Sequence, residues 1–358
     1  MPRIQLDQVS GRYRDGHVGL QPTDLDIASG ELVAIVGPSG SGKTTLIRLI
    51  AGLDKPATGS LLFDGIAMND VSPVKRDVAM VVTQGALYEH MSSGDNIRFP
   101  LKVTGIGEPE QTERTETEAT RFGIRRLLGR RPRALSAGER QLVATGRATV
   151  REASVLLFDE ALAGVDPHLR HQIRDEFRRL HDGTHTIVYA TNEQEEAMAL
   201  ADRLVVLDQG IVQQVGAPLA LYNEPINVFV ARFLGAPAMN IIPGDAREGR
   251  LRLGTDEIAG APPPPQSGPI LVGIRPEDVH LARPGDPFER CLHARITAVE
   301  VLGSVRIAHA AFGTPDSGAL DFAVRVTDSR PIFAGDSVEL VLTVDRISYF
   351  DPESGLRF

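Results

Sequence analysis

The chain is short of cysteine, of long apolar runs and of positive charge, and each shortage removes a class of function. A single cysteine, Cys291, cannot form an intrachain disulfide; it reads as a small buried apolar residue and suits a reducing compartment. No apolar run approaches the length of a bilayer span, and Met1-Pro2-Arg3-Ile4-Gln5 is not a charged-then-apolar leader, so the expected location is the cytosol. Acidic residues outnumber Lys and Arg by 47 to 38, a formal charge of -9, which argues against a nucleic-acid partner because phosphate backbones demand a basic surface. The local basic group Arg125, Arg126, Arg130, Arg131 and Arg133 reads as a solvated face or a docking surface before RNA. What is present is ordinary for a soluble globular protein: 42% hydrophobic and 24% charged over 358 residues, enough for two or three domains with a large core.

Short β-like runs separated by turns occupy residues 1 to 85: Ile4 to Val9, Leu25 to Ile27, Leu32 to Val36, Leu61 to Phe63 and Val78 to Val82. They predict a nucleotide-binding α/β core with an antiparallel edge. From about Ala86 the pattern turns helical and polar, broken by Gly105, Gly107 and Pro109, which predicts a helical insert over about 86–145. Strand Ser154 to Phe158, helix His168 to Asp182, strand Thr186 to Ala190, helix Glu193 to Ala201 and strand Leu204 to Leu207 then alternate, as a mostly parallel sheet requires. Beyond Leu234-Gly235-Ala236-Pro237 the character changes. The run Pro262 to Pro265 precedes period-two segments at Arg295 to Val301, Val305 to Ala310 and Ser337 to Val344. The expected domains are 1–235, α/β, and 236–358, an all-β small barrel.

Gly37-Pro38-Ser39-Gly40-Ser41-Gly42-Lys43-Thr44-Thr45 follows the apolar run Leu32 to Val36 directly and opens a helical pattern. Strand, glycine-rich turn and helix are the context of a phosphate-binding loop: freed backbone N–H groups converge on phosphate oxygens, Lys43 reaches the terminal phosphates and Thr44 offers a hydroxyl to Mg²⁺. Downstream, Val155-Leu156-Leu157-Phe158-Asp159-Glu160 is an apolar strand ending in two carboxylates. Asp159 is placed for the metal and Glu160 for a water attacking the terminal phosphate, the pair that metal-assisted phosphate hydrolysis needs. Leu135-Ser136-Ala137-Gly138-Glu139-Arg140-Gln141 opens a helix, with Ser136 as cap and Glu139 in capping-box position.

Together these motifs resemble the ATPase subunits of ABC transporters, in which Leu135 to Gln141 corresponds to the signature sequence. The resemblance implies a P-loop ABC ATPase domain followed by an OB-like regulatory domain, an ATPase that binds ATP and Mg²⁺, and two subunits sandwiching two ATP molecules head to tail. Ser136 and Gly138 of one subunit would then complete the site of the other. It implies roles for Gln84, which senses magnesium and the attacking water, for Asp166, which matches the family's D-loop aspartate, and for Tyr13, which stacks on adenine. Gln84 to Ser92, Phe233 to Asn240 and Gly273-Ile274-Arg275-Pro276-Glu277-Asp278 look like the carbohydrate-importer branch typified by maltose and glycerol-phosphate uptake ATPases. That branch implies a peripheral subunit on the cytoplasmic face of the inner membrane, partnered by two permease subunits, a second ATPase subunit and an extracytoplasmic solute-binding protein. Its permease coupling helices would dock near Leu87, Tyr88 and Met91. The alternatives are an importer for another solute, such as a polyamine or metal ion, a chiefly regulatory ATP-binding subunit, and a soluble ABC ATPase acting on ribosomes or DNA; only one phosphate loop is present, which disfavours the last.

Four positions depart from the family's pattern; one of them, Ala161, stands where the family usually has proline after the catalytic glutamate and is expected to matter less than the other three. Asn192, after strand Thr186 to Ala190, stands where the family has a histidine on the terminal phosphate, and losing such a preorganised contact costs on the order of 10² to 10³ in rate. Asn192 still donates a hydrogen bond, which limits the loss. Ala137 narrows backbone freedom in the signature, and Glu139 brings a like charge toward phosphates, a repulsion of about 2 kcal/mol at roughly 8 Å and an effective dielectric of about 20. Reduced turnover is the expectation. A homodimer would carry these changes in both sites; a related subunit with intact motifs would divide them into two unequal sites.

Overall fold

A computed structural model describes residues 1–13, 15–82, 86–162, 165–181, 184–254, 256–286, 291–303, 305–312, 320–327 and 330–358. The chain divides into two compact units, Met1–Leu219 and Ala220–Phe358, so the boundary expected at 235/236 lies inside the second unit.

The first unit runs β1 (Ile4–Arg12), β2 (Val18–Ile27), β3 (Leu32–Val36), α1 (Lys43–Ala51), β4 (Thr58–Phe63), β5 (Ile66–Ala67), β6 (Val78–Val81), α2 (Ser93–Val103), α3 (Glu108–Arg121), α4 (Ala137–Thr149), β7 (Val155–Asp159), α5 (Pro167–Leu180), β8 (Thr186–Thr191), α6 (Gln194–Leu200), β9 (Arg203–Asp208) and β10 (Ile211–Gly216). A six-stranded sheet has the order β10-β9-β3-β8-β7-β6, parallel except for the antiparallel pair β9 and β10. Strands β3, β7 and β8 are buried at every position, which is why they read as unbroken apolar runs rather than alternations.

The antiparallel edge expected on this core is instead a separate four-stranded sheet, β2-β1-β4-β5. One face of it carries Ile4, Leu6, Val9, Leu20, Leu25 and Ile27 into the same core as Leu46, Leu49 and Ile50 of α1. Helix α1 is thereby clamped between two sheets, and each of its fully buried Leu and Ile side chains contributes about 1.5–3 kcal/mol.

Helices α2, α3 and α4 make up the insert. Ser92 caps α2 by accepting from the Asp95 N–H, Gly105 takes a φ of 79° between α2 and α3, and Pro109 sits in the first turn of α3. Helix α5 starts at Pro167, and the helix end expected at Asp182 lies outside the described residues.

In the second unit, α7 (Pro218–Asn223) crosses the boundary and α8 (Val228–Phe233) precedes β11 (Asn240–Arg247), β12 (Arg250–Leu253), β13 (Asp256–Ile258), β14 (Gly268–Ile274), β15 (Val279–Leu281), β16 (Cys291–Leu302), β17 (Val305–Phe312), β18 (Leu320–Val326), β19 (Ser337–Leu342) and β20 (Ser348–Phe350). Two five-stranded sheets, β13-β12-β11-β14-β20 and β15-β19-β16-β17-β18, enclose one core containing Ile242, Val272, Leu292, Phe322 and Leu340. Arg275 explains why α8 belongs here. Its buried guanidinium donates to the carbonyls of Tyr222 (2.6 Å), Ala231 (3.0 Å) and Leu234, and lies 3.7 Å from the centre of the Tyr222 ring. The segment is held from its other side by residues far along the chain: Val228 N–H donates to Gly355 O (2.9 Å) and Arg357 N–H to Ile226 O (2.8 Å). Among the described residues no helix is long and apolar enough to cross a membrane.

Candidate active site

Strand β3 delivers the chain into the phosphate-binding loop, whose glycines are required by close approach. A Cβ at Gly37 would lie 2.0 Å from Leu207 O, and one at Gly42, where φ is 107°, would lie 2.3 Å from Gly19 O. Gly42 is also the N-cap of α1, and no side chain caps it, so the first N–H groups of the helix remain for an anion. Lys43 is 5% exposed, and its Nζ donates to Gly37 O and Pro38 O, each at 2.8 Å. Burial pushes the Lys43 ammonium below its ordinary pKa, against the opposing pull of Glu160 and Asp159. Ser41 Oγ is buried with no hydrogen-bond partner. A buried hydroxyl without a partner beside an uncapped helix start and a buried ammonium is what a phosphate group would satisfy.

Strand β7 lies two places from β3 across β8 and ends at Asp159, which is buried. Asp159 Oδ1 accepts from Thr44 Oγ1 at 3.1 Å. Burial raises the Asp159 carboxyl above the usual range; the Thr44 hydrogen bond opposes this, Glu160 adds to it, and Lys43 and Arg48 oppose it. A divalent cation would reverse that balance, and one hydroxyl with one carboxylate is the short hard-oxygen set that Mg²⁺ uses when phosphates and water complete its shell. No group of three or more His, Cys, Asp and Glu residues converges to hold a metal among the described residues. The donor chemistry therefore fits Mg²⁺ carried in with a nucleotide.

Glu160 follows with a φ of 51°, a left-handed conformation that costs an ordinary residue about 1–2 kcal/mol. Its N–H donates to Ala190 O at 2.8 Å, which fixes it to the end of β8. Asn192, just beyond β8, donates Nδ2–H to Glu160 Oε1 at 2.5 Å. The position where the resemblance predicts a histidine thus supplies a neutral donor to the carboxylate. Lys43, Thr44 and Glu160 line one cleft of about 180 Å³ together with Ser39, Gly40, Gly42, Thr45 and Tyr13. His17 and Gly19 line it too, and sequence reasoning passed over both; the only signal was an aromatic ring four residues after Tyr13.

Ser136, Gly138 and Asp166 do not line that cleft. Ser136 caps α4 in a complete capping box: its Oγ accepts from Glu139 N–H (3.2 Å), and Glu139 Oε2 accepts from Ser136 N–H (3.0 Å). Glu139 Oε1 also lies 3.5 Å from Arg126. The carboxylate expected to repel phosphate is thereby engaged by its own helix start and by an arginine, which weakens the objection raised from sequence. Gly138 is buried in the first turn and Asp166 is exposed ahead of α5. Gln84 lies outside the described residues.

Residues 20–163 match the ABC transporter family, and residues 272–350 match the TOBE domain. The chain is 39% identical to the sn-glycerol-3-phosphate import ATP-binding protein UgpC of Paracoccus denitrificans, covering 100% of this chain and 99% of that protein. It is 43% identical to the lactose transport ATP-binding protein LacK of Rhizobium radiobacter, covering 87% of this chain and 88% of that one. A similar solved structure is a dimeric ATP-binding cassette in a post-hydrolysis state bound to ADP and Pi, with a TM-score of 0.57 and 26% identity over 60% of this chain and 98% of that one. A phosphate loop backed by a metal-ready aspartate and an oriented glutamate, on a chain of this likeness, leaves one conclusion: the protein belongs to the ABC transporter family, its nucleotide-binding unit followed by a TOBE domain.

Proposed function

We propose that this protein is the ATP-hydrolysing motor subunit of an importer for a carbohydrate or polyol. It works at the cytoplasmic face of the membrane with two permease subunits, an extracytoplasmic solute-binding protein and a second ATPase subunit, either a copy of itself or a related chain. The observation that carries the reaction is the Thr44–Asp159 hydrogen bond beside the buried Lys43, because it joins phosphate binding and metal binding at one point. The solute class is supported by relatives named for import of sn-glycerol-3-phosphate and transport of lactose.

Lys43 exchanges the carbonyls of Gly37 and Pro38 for terminal phosphate oxygens, and the N–H groups at the head of α1 add their partial charge. Thr44 and Asp159 would hold Mg²⁺, which would neutralise part of the phosphate charge. Glu160 accepts the proton of the attacking water, and Asn192 holds the carboxylate that does so. Ser136 and Gly138 of the second subunit complete the site on closure, and closure is what the permeases feel. Tyr88 supports a docking role for the insert: it is 41% exposed, its ring centre is 4.9 Å from that of Phe99, and Arg147 lies 5.6 Å from it.

The test is reconstitution of the full-length protein with its permeases in vesicles. Solute-stimulated ATP hydrolysis should accompany uptake of the carbohydrate, and both should vanish in Glu160→Gln while ATP binding persists. Hydrolysis that no carbohydrate or polyol stimulates would overturn the solute class, and normal hydrolysis by Glu160→Gln would overturn the site.

A further inference from the structure

We infer that His17 is a base-binding residue of the nucleotide site, forming with Tyr13 a two-ring platform on which the base stacks; the inference rests on the nucleotide-site reading given above. The two rings stand 6.1 Å apart, centre to centre, with planes only 17° from parallel. A closed turn holds them in that relation. Tyr13 N–H donates to His17 O (2.9 Å), Gly16 N–H to Tyr13 O (3.0 Å), and His17 N–H to Asp15 Oδ1 (3.0 Å).

The platform is also registered to the phosphate loop. The Tyr13 hydroxyl hydrogen-bonds Thr45 Oγ1 at 2.6 Å, and Thr45 follows the metal-binding Thr44 in α1. Gly19 makes room for this: a Cβ there would fall 2.7 Å from Tyr13 Cε2 and 2.7 Å from Thr45 Oγ1. A base on the rings and a triphosphate on the loop are therefore positioned by one connected set of contacts. Both rings line the same cleft as Lys43 and Glu160, and Tyr13 is 45% exposed although its hydroxyl is tied down, so its face is available while its position is fixed. An exposed histidine is usually a solvated surface residue. Near-parallel alignment with a tethered tyrosine, inside the nucleotide cleft, separates this one from that default.

Stacking reads the flat face of a base and not its edges, so the platform serves a nucleoside triphosphate and adds nothing for a triphosphate lacking a base. That difference is the test. Binding of Mg-ATP and of inorganic Mg-tripolyphosphate to the full-length protein is measured by calorimetry in wild type, His17→Ala and His17→Phe. His17→Ala should weaken ATP about fivefold or more and leave tripolyphosphate within about twofold, as expected for loss of a base–ring stack. His17→Phe should keep ATP affinity within about twofold. An ATP affinity unchanged in His17→Ala overturns the proposal, as does equal weakening of both ligands or a phenylalanine variant as weak as the alanine one. Failure of the underlying site reading looks different: tripolyphosphate would then bind Lys43→Ala as well as wild type.

Discussion

Replacing Asn192 by alanine removes the side chain that donates to Glu160 Oε1, while Glu160 stays tied to Ala190 through its backbone. A hydrogen bond to a charged group is worth about 1.5–3 kcal/mol, or roughly 10- to 150-fold in rate when it is needed in the transition state. Asn192 is exposed, so water takes over part of its role and the lower end applies: about tenfold. Asn192→Asp should be worse. Two carboxylates about 4 Å apart repel by about 4 kcal/mol at an effective dielectric of about 20, and by about half that with screening at this exposed position. The aspartate also offers no donor, so the repelled Glu160 carboxylate is driven out of position and the variant should be slower than the alanine one. Single-turnover hydrolysis at saturating ATP, measured on the full-length protein with its permeases, isolates the chemical step from release. Asn192→His, which restores the family residue, should equal or exceed wild type. An alanine variant within about threefold of wild type, or an aspartate variant no slower than alanine, would refute the view that Asn192 orients the base.

Lys43→Ala should abolish Mg-ATP binding, because it removes a buried cation already seated in the loop; nucleotide titration checks this, and unchanged affinity counts against the site. Gly37→Ala should lose nucleotide binding as well, since its Cβ would sit 2.0 Å from a backbone oxygen that cannot move alone; near-normal affinity would contradict the packing. Arg275→Met strips donors from the carbonyls of Tyr222, Ala231 and Leu234 and should destabilise the second unit by about 3–5 kcal/mol, with Arg275→Lys recovering only part. Denaturant unfolding reads this, and a loss below about 1 kcal/mol would remove Arg275 as the anchor of α8. Burial raises the Glu118 carboxyl above the ordinary range, against the Thr149 hydroxyl and Arg121. The folded chain therefore holds that proton to higher pH than the unfolded chain, and stability falls as pH rises through the interval between the two values. Glu118→Gln should gain stability over wild type above that interval and none below it; a difference constant from about pH 4 to about pH 8 would show that the carboxyl does not titrate there.

The chemistry was legible because its residues are consecutive. Gly37 to Thr45 and Val155 to Glu160 each carry strand, turn and functional group in one short window, and the fold only has to bring two windows together across a sheet. Ser136 and Glu139 were legible as a capping box for the same reason, yet the effect of Glu139 was not, since its partner Arg126 lies on another element. The antiparallel sheet was misread as an edge because β1 and β2 show the same apolar alternation whether they extend one sheet or build another; only the burial of their inner face on α1 distinguishes the cases. Strand β11 escaped notice because Pro243 and Gly244 interrupt it, and the domain boundary was placed late because the guanidinium that claims α8 is supplied from Arg275, far along the chain.

The attachment of residues 226–228 to residues 355–357 gives the second unit a different relation to protein synthesis from the first. Every strand of the first unit has been made once Gly216 emerges, so its two sheets can close around the phosphate-loop helix early. The second unit begins with a segment whose backbone partners, residues 355–357, are translated only after every described strand of that unit. Until residues 355–357 arrive, α8 has Arg275 and the apolar cluster of Ala231 with Met239 and Phe350, but Ile226 and Val228 lack their backbone partners. A chain interrupted ahead of residue 355 would keep every strand of the nucleotide-binding unit but leave the entrance of its β unit without these backbone partners.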